Sequence, residues 1–159
     1  MQTEASVEIQ RSIEDVFFLT IDHVPEWSRV VVEDEVIDET PDVIGSTFRT
    51  VTAEGGNRME FLGEVTAYDP PKFHAIHLTG ELFDIDAEYR FEYLGAKTRV
   101  TQLSTVTPKG FLKVFFFMFG WLMKTSSCKA TQQELDRLKR FCETQGEQPS
   151  SASNQEDSY

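Results

Sequence analysis

The sequence has few cysteine residues that could form disulfide cross-links. It contains two cysteines in 159 residues, Cys128 and Cys142. If both lie on one helix, they are about 21 Å apart at a rise of about 1.5 Å per residue, far beyond the reach of a disulfide. We therefore interpret them as buried thiols in a reducing compartment rather than as a redox pair.

No apolar run is long enough to span a bilayer, which takes a helix of roughly 20 apolar residues. The most apolar stretch, GFLKVFFFMFGWLMK at residues 110–124, has ten uncharged residues between Lys113 and Lys124. The amino terminus, MQTEASVEIQ, has no basic start followed by an apolar block, so it does not resemble a secretory signal. We expect a cytoplasmic protein.

Positive charge is scarce outside one segment. The formal net charge is −12, which argues against a general binder of nucleic acid or of other polyanions. Residues 93–133 contain no Asp or Glu but six Lys or Arg residues, so this segment carries +6 and the rest of the chain −18. The Phe-rich stretch therefore lies inside the one basic region.

Motifs that carry chemistry are also missing. His74 and His77 are three apart on a predicted strand and so point to opposite faces, and His23 lies at the end of a predicted helix. No Cys or His pair has metal-ligand spacing, no glycine-rich loop joins a strand to a helix, and no catalytic constellation is evident. We predict no metal and no cofactor. His77, Tyr89 and Tyr93 are the polar-tipped candidates for a cavity.

The chain begins with a strand followed by two helical pieces. Residues 6–10 (SVEIQ) read as a strand, and Ser12 is a suitable N-cap for the helix IEDVFFLTID, whose first turn is acidic. Pro25 opens a second short helical piece, PEWSRV, which contains Trp27.

Strand patterns then dominate as far as residue 106. In residues 84–93 charged side chains alternate strictly with Ile85, Ala87, Tyr89, Phe91 and Tyr93, which predicts a strand with one covered face. Turn signals divide residues 31–106 into five or six strands. Consecutive strands followed by one long helix predict an α+β fold, with the helix laid across an antiparallel sheet. Residues 144–159 are polar and are predicted to form a disordered tail.

The long helix, predicted at residues 111–143, has more apolar side chains than one face can bury. Its second half has a conventional apolar face formed by Cys128, Leu135, Leu138 and Cys142, and a continuous stripe would extend this face to Val114, Met118 and Trp121. Leu112, Phe116, Phe119 and Met123 lie on nearly the opposite side. A kink at Gly120, coverage by loops, a homodimer contact or peripheral insertion into a membrane surface could each cover them.

The order of these segments resembles the START-like superfamily of helix-grip proteins, in particular its polyketide cyclase/dehydratase-like (SRPBCC) group. The similarity covers about residues 3–143. It is carried by SVEIQRSIEDVFFLTIDHVPEWSRVV, GSTFRTV, GEVTAYDPP, YRFEYLGAKTRVTQ and ELDRLKRFCE. The resemblance implies a single domain over residues 1–143, with a curved sheet of about six to seven strands wrapped around the last helix.

The resemblance also implies an elongated apolar cavity between the sheet and the helix. By position, the implied lining consists of Trp27, Phe48, Phe61, Val65, His77, Tyr89, Phe91, Met118, Trp121 and Leu122. The expected function is binding of a lipid or polyketide-like molecule by a carrier or sensor. The alternatives are a cyclase or dehydratase type of enzyme, and a module recruited to a membrane or a protein partner through the Phe-rich face.

Overall fold

The computed structural model describes residues 1–145, and within the last helix it describes every side chain except those of residues 115–117 and 119–126. Seven strands and three helices are described, in the order β1 (Gln2–Ile9), α1 (Ile13–Asp22), α2 (Val24–Trp27), β2 (Val31–Asp38), β3 (Thr47–Glu54), β4 (Asn57–Asp69), β5 (Phe73–Thr79), β6 (Phe83–Tyr93), β7 (Thr98–Pro108) and α3 (Leu112–Gln145). The predicted tail from residue 146 onward lies outside the described residues.

The strands form one open antiparallel sheet in the order β1-β7-β6-β5-β4-β3-β2. Consecutive strands from β2 to β7 are therefore neighbours, and β1 closes the sheet at the edge of β7. We call the face that carries α3 the inner face. The predicted α+β fold, with a long C-terminal helix on an antiparallel sheet and two short helices after the first strand, is confirmed.

The first helix starts as the sequence predicts. The Ser12 hydroxyl accepts a hydrogen bond from the Asp15 backbone N–H at 3.3 Å, and Glu14 and Asp15 occupy the first turn. After α1 the chain turns into α2, where Trp27 is fixed because its indole N–H donates to the Thr20 carbonyl at 3.0 Å. The two short helices thus form one packed unit at the end of the sheet.

The core lies where the second half of α3 packs on β1 and α1. Leu135, Leu138 and Cys142 are fully buried, as the amphipathic pattern predicted. They join a cluster that includes Ile9 and Phe17. Each large apolar side chain in such a cluster contributes roughly 1.5–3 kcal/mol on burial. This cluster therefore anchors the helix to one side of the sheet.

The first half of α3 does not continue this seam. The helix runs alongside β1, with Glu143 bonded to the Gln10 backbone N–H beyond one end of the strand and Ser127 in contact with Met1 beyond the other. The helical residues that precede Ser127 therefore extend past the first residue of β1. Val114 and Met118 are 62% and 60% exposed. The prediction that they extend the sheet-facing stripe is wrong, because β1 offers them no surface to pack on.

Two further apolar side chains at the start of the Phe-rich stretch differ in exposure. Leu112 is half-buried, and Phe111 is exposed. The side chains of Phe116, Phe119 and Met123 lie outside the described residues, so the predicted dimer or membrane contact stays a prediction. Within residues 1–145, no helix combines the length and the apolar character needed to cross a membrane.

This division of α3 predicts unequal effects of truncating its side chains. Leu138→Ala should lower the free energy of unfolding by about 2–5 kcal/mol, because it opens a cavity in the core. Met118→Ala removes an exposed side chain and should change the stability by less than about 0.5 kcal/mol. Urea denaturation followed by circular dichroism measures both changes. Equal losses in the two variants would show that the first half of the helix is packed as tightly as the second.

Candidate functional site

A cavity of about 560 Å³ lies on the inner face of the sheet, beside the part that α3 covers. Its lining comes from α1, α2 and strands β2 to β7, and α3 contributes Ala130, Thr131 and Glu134. Val36 and Glu39 form part of its rim and are exposed, so the cavity opens to solvent along the β2 edge. The volume lies in the range of sites that hold drug-sized ligands, about 300–1,000 Å³.

The floor of the cavity is apolar because alternate residues of β4, β5 and β6 point inward. Val65 is opposite Ile76, and Ile76 is opposite Ala87, which gives one apolar row across three strands. Leu78 and Ile85 form a second row beside it. An alkyl or aromatic body could lie on these two rows without burying any polar group of the protein.

Phe48 forms a wall of the cavity because its strand partner is a glycine. A Cβ added to Gly63 would lie 2.3 Å from atoms of the Phe48 ring, so the ring occupies the space that any other side chain would fill. The glycine thus lets the aromatic ring lie directly over the neighbouring strand.

A row of polar groups crosses the sheet next to the apolar rows. Its members are Tyr68, His74, Tyr89 and Gln102, on four successive strands from β4 to β7. The register pairs Tyr68 with His74, His74 with Tyr89, and Tyr89 with Gln102. All four side chains line the cavity. We call this set the polar row.

Three buried polar atoms on the inner face have no hydrogen-bond partner within the described part of the chain. They are Nδ1 of His74, Oε1 of Gln102 and Oγ1 of Thr52, and all three residues line the cavity. A buried polar group left without a partner costs roughly 1–3 kcal/mol, and such groups are uncommon in folded proteins. Their concentration in one cavity suggests that they serve something other than the fold.

The polar row is uncharged near neutral pH. Burial lowers the pKa of His74 to about 4, so its imidazole is neutral. Burial, with a further contribution from the Glu134 carboxylate, raises the pKa of Tyr89 above the ordinary value of a phenol. Burial and the Asp22 carboxylate raise the pKa of Tyr68 in the same direction. These side chains therefore offer neutral donors and acceptors.

Two carboxylates inside the cavity already have protein partners. Asp34 accepts a hydrogen bond from the Thr50 hydroxyl at 2.7 Å, and burial raises the pKa of Asp34 against the effect of this bond. Glu134 accepts from the Arg29 backbone N–H at 2.9 Å and from the Ser28 hydroxyl. The second contact ties α3 to the segment that joins α2 to β2, at the mouth of the cavity.

Four of the ten predicted lining residues line the cavity, and four others, Phe61, His77, Phe91 and Met118, lie elsewhere. Trp27, Phe48, Val65 and Tyr89 line it. Phe91 belongs to the core, with its ring 5.0 Å from that of Phe17, and Phe61 packs against Phe83 with 5.7 Å between the ring centroids. Met118 is exposed on α3. Trp121 and Leu122 lie outside the described side chains.

The prediction for His77 is corrected by strand parity. His77 is the register partner of Asp86 on the outer face, and its Nδ1 lies 2.7 Å from the Asp86 carboxylate. Tyr93 is also exposed, at 69%. Since His74 and His77 point to opposite faces, the inward histidine is His74. The sequence contained the signal for this assignment. Asp86 is three residues from the inward Tyr89 on the same strand and therefore points outward, and His77, as the partner of Asp86, points to the same face.

Sequence reasoning missed Tyr68, Gln102 and Thr52 as well as His74. Each is a single polar residue within a strand, and no motif sets it apart. The described residues contain no group of three or more His, Cys, Asp or Glu side chains arranged to hold a metal ion.

The buried neutral His74 makes a pH-dependent contribution to stability. Its folded pKa of about 4 lies below the unfolded value of 6.5, so its contribution is fully present above pH 6.5 and is lost as the pH falls towards 4. We expect His74→Phe to reduce the acid loss of unfolding free energy between pH 7 and pH 4 by about 3 kcal/mol. Urea denaturation at several pH values measures this difference. His77→Asn, on the outer face, is the control, and a His74→Phe protein with an unchanged pH profile would contradict the assignment.

Comparison with known proteins gives the family. No curated protein is significantly similar in sequence to the chain. The protein TTHA0849 from Thermus thermophilus has a similar structure, with a TM-score of 0.76 and 16% identity over 93% of this chain and 100% of that one. A START superfamily protein from Mycobacterium smegmatis gives a TM-score of 0.68 and 17% identity over 91% and 95% of the two chains.

A third similar structure is the di-domain ARO/CYC protein StfQ from the steffimycin biosynthetic pathway. Its TM-score is 0.70 at 15% identity, over 91% of this chain and 52% of that one. These identities are low, so the solved structures support the fold. The family model for polyketide cyclase / dehydrase and lipid transport proteins matches residues 1–143. The chain therefore belongs to the polyketide cyclase / dehydrase and lipid transport family.

Proposed function

We propose that the protein binds a hydrophobic small molecule in the inner-face cavity, as a carrier or sensor. The observation that supports this most directly is the pairing of an apolar floor with buried polar atoms of His74, Gln102 and Thr52 that have no hydrogen-bond partner among the residues that the structure describes. Ligand sites typically combine a largely apolar lining with a few placed polar groups that orient the ligand. The family to which the chain belongs includes both lipid transport proteins and polyketide cyclases.

Binding without reaction needs only the apolar and aromatic side chains that line the cavity, and no acid, base or nucleophile. The apolar rows of β4 to β6 bury a hydrophobic body, and Trp27 and Phe48 supply aromatic walls. The carboxylates Asp34 and Glu134 are engaged in hydrogen bonds within the protein.

Filling the cavity should abolish binding. Ala87→Phe places a ring on the apolar floor, and we expect it to weaken the binding of the neutral dye Nile red at least tenfold, because the ring occupies the ligand's volume. Fluorescence titration measures the affinity. Leu62→Phe, which adds a ring at an exposed position of β4, is the matched control. Equal affinities in the two variants would place the dye outside the cavity.

The same pair of variants can reveal a natural ligand. Native mass spectrometry of the freshly purified proteins, followed by denaturing extraction, should detect a hydrophobic molecule with the wild-type protein and with Leu62→Phe. The molecule should be missing from Ala87→Phe.

A cyclase or dehydratase type of reaction is the second candidate, and one observation favours it. The neutral His74 imidazole, whose Nδ1 has no partner in the part of the chain that the structure describes, faces the cavity beside Tyr89. A neutral imidazole can accept a proton and a phenol can donate one, which are the roles that an enolisation and ring closure would need.

The enzymatic alternative is tested by turnover. The wild-type protein should cyclise a linear poly-β-ketone surrogate faster than a protein-free control, as followed by liquid chromatography and mass spectrometry. His74→Phe should lower the rate at least a hundredfold, the range typical of losing a general acid or base. Wild-type turnover no faster than the control would exclude this alternative and leave the binding proposal standing.

A further inference from the structure

The charges that line the cavity are of one sign. Five acidic residues are among those that line it, namely Asp22, Asp34, Glu35, Glu39 and Glu134. The side chain of Glu35 points to the outer face, because its register partner is the outward Arg49. No lysine or arginine is found among the lining side chains that the structure describes. The field inside a cleft that carries one sign of charge is strengthened by its low-dielectric walls. An anionic group that enters the cavity would be repelled by this field, and no positively charged side chain of the described lining would offset the repulsion.

The buried polar atoms of the cavity that the described residues leave without a hydrogen-bond partner belong to uncharged side chains. Of the two inner carboxylates, Asp34 is bonded to Thr50, and Glu134 to the Arg29 backbone N–H and the Ser28 hydroxyl. The buried atoms for which the described part of the chain supplies no partner belong instead to His74, Gln102 and Thr52. A ligand that satisfies the site must therefore supply neutral donors and acceptors rather than a formal charge.

Polar and apolar functions are separated along the cavity floor. The polar row crosses β4 to β7, and the apolar rows through Ile76 and Leu78 lie beside it in the direction of the β5–β6 turn. Side chains two apart on a strand share a face and lie roughly 7 Å apart. An elongated molecule could therefore place one end on the polar row and its body on the apolar rows.

We propose that the ligand is an uncharged amphiphile whose polar end carries hydroxyl or carbonyl groups, and that the acidic lining excludes fatty-acid-like anions. This inference rests on the proposed binding function and names the class of ligand. A hydroxyl can both donate and accept, so it can satisfy the His74 imidazole in either tautomer as well as the Gln102 carbonyl oxygen. A carboxylate can only accept, and it would stand in the same cavity as Asp34 and Glu134.

A cationic amphiphile is the less favoured class. Asp34 and Glu134 keep their negative charge when they accept these hydrogen bonds, so they would attract a cation. A quaternary ammonium group donates no hydrogen bond, however, so it would leave Nδ1 of His74 and Oε1 of Gln102 without a donor. Asp22, Asp34, Glu35 and Glu39 are exposed, so water and salt reduce their attraction for a cation.

Three probes that share one alkyl chain test the head group. Decan-1-ol, decanoate and decyltrimethylammonium are compared by displacement of Nile red from the full-length protein at neutral pH. We expect decan-1-ol to displace the dye at a concentration at least about tenfold lower than either charged probe. Decanoate or the ammonium probe binding as tightly as the alcohol would overturn the proposal. Failure of decan-1-ol to displace the dye would also overturn it.

A charge-neutralising variant tests the cause of the selectivity. Asp34→Asn combined with Glu134→Gln keeps the size of both side chains and removes two negative charges. The preference for decan-1-ol over decanoate should fall to within about threefold, because the repulsion is reduced. Glu14→Gln combined with Glu54→Gln removes the same net charge at exposed positions away from the cavity, and should keep the full preference. A preference retained in the Asp34/Glu134 variant would overturn the electrostatic explanation.

The proposal can fail separately from the binding function. If Nile red does not bind, or binds equally well to Ala87→Phe, the cavity is not a binding site and the proposed function fails. If the dye binds in the cavity and the charged probes displace it as well as the alcohol does, the function stands and the ligand class is wrong.

Discussion

The position of α3 is the constraint on which the rest of the structure depends. Leu135, Leu138 and Cys142 are fully buried against β1 and α1, so the helix lies at one side of the sheet. Arg137 donates to the Trp27 carbonyl at 3.1 Å, and Glu134 binds the segment after α2, which fixes the helix against the two short helices. Among the side chains that the structure describes, α3 contributes only Ala130, Thr131 and Glu134 to the cavity, whose floor is the inner face of β4 to β6.

The sequence predicts the fold because its signals are local and agree with one another. Strict alternation in β6, a capping serine at position 12 and a 3.6-residue period around Leu135 each specify an element independently of the others. The extent of the helix seam could not be obtained in this way. Periodicity indicates which side of a helix is apolar, but Val114 and Met118 are exposed because β1 has ended, and that depends on tertiary placement.

The candidate site was harder to predict because its residues become a group through strand register. Tyr68, His74, Tyr89 and Gln102 are separated by up to 34 positions in sequence and share no motif, yet antiparallel pairing sets them side by side. Alternation alone placed Tyr89 inward. Extending that parity through the pairing of β5 with β6 would have selected His74, since a residue and its directly opposite partner share a face.

The contrast between core and cavity is an argument that the polar row is functional. In the core cluster the apolar side chains are buried, and the buried Thr98 hydroxyl, on the residue opposite Ile9, donates to the Arg11 carbonyl. On the inner face of the cavity, His74, Gln102 and Thr52 carry buried atoms that find no partner within the described residues, at a cost that leucine or valine at the same positions would avoid. The rule that buried polar groups have hydrogen-bond partners is therefore obeyed in the core and broken in the cavity, where a ligand could supply the partners. Natural sequences tolerate such energetic costs mainly at functional sites.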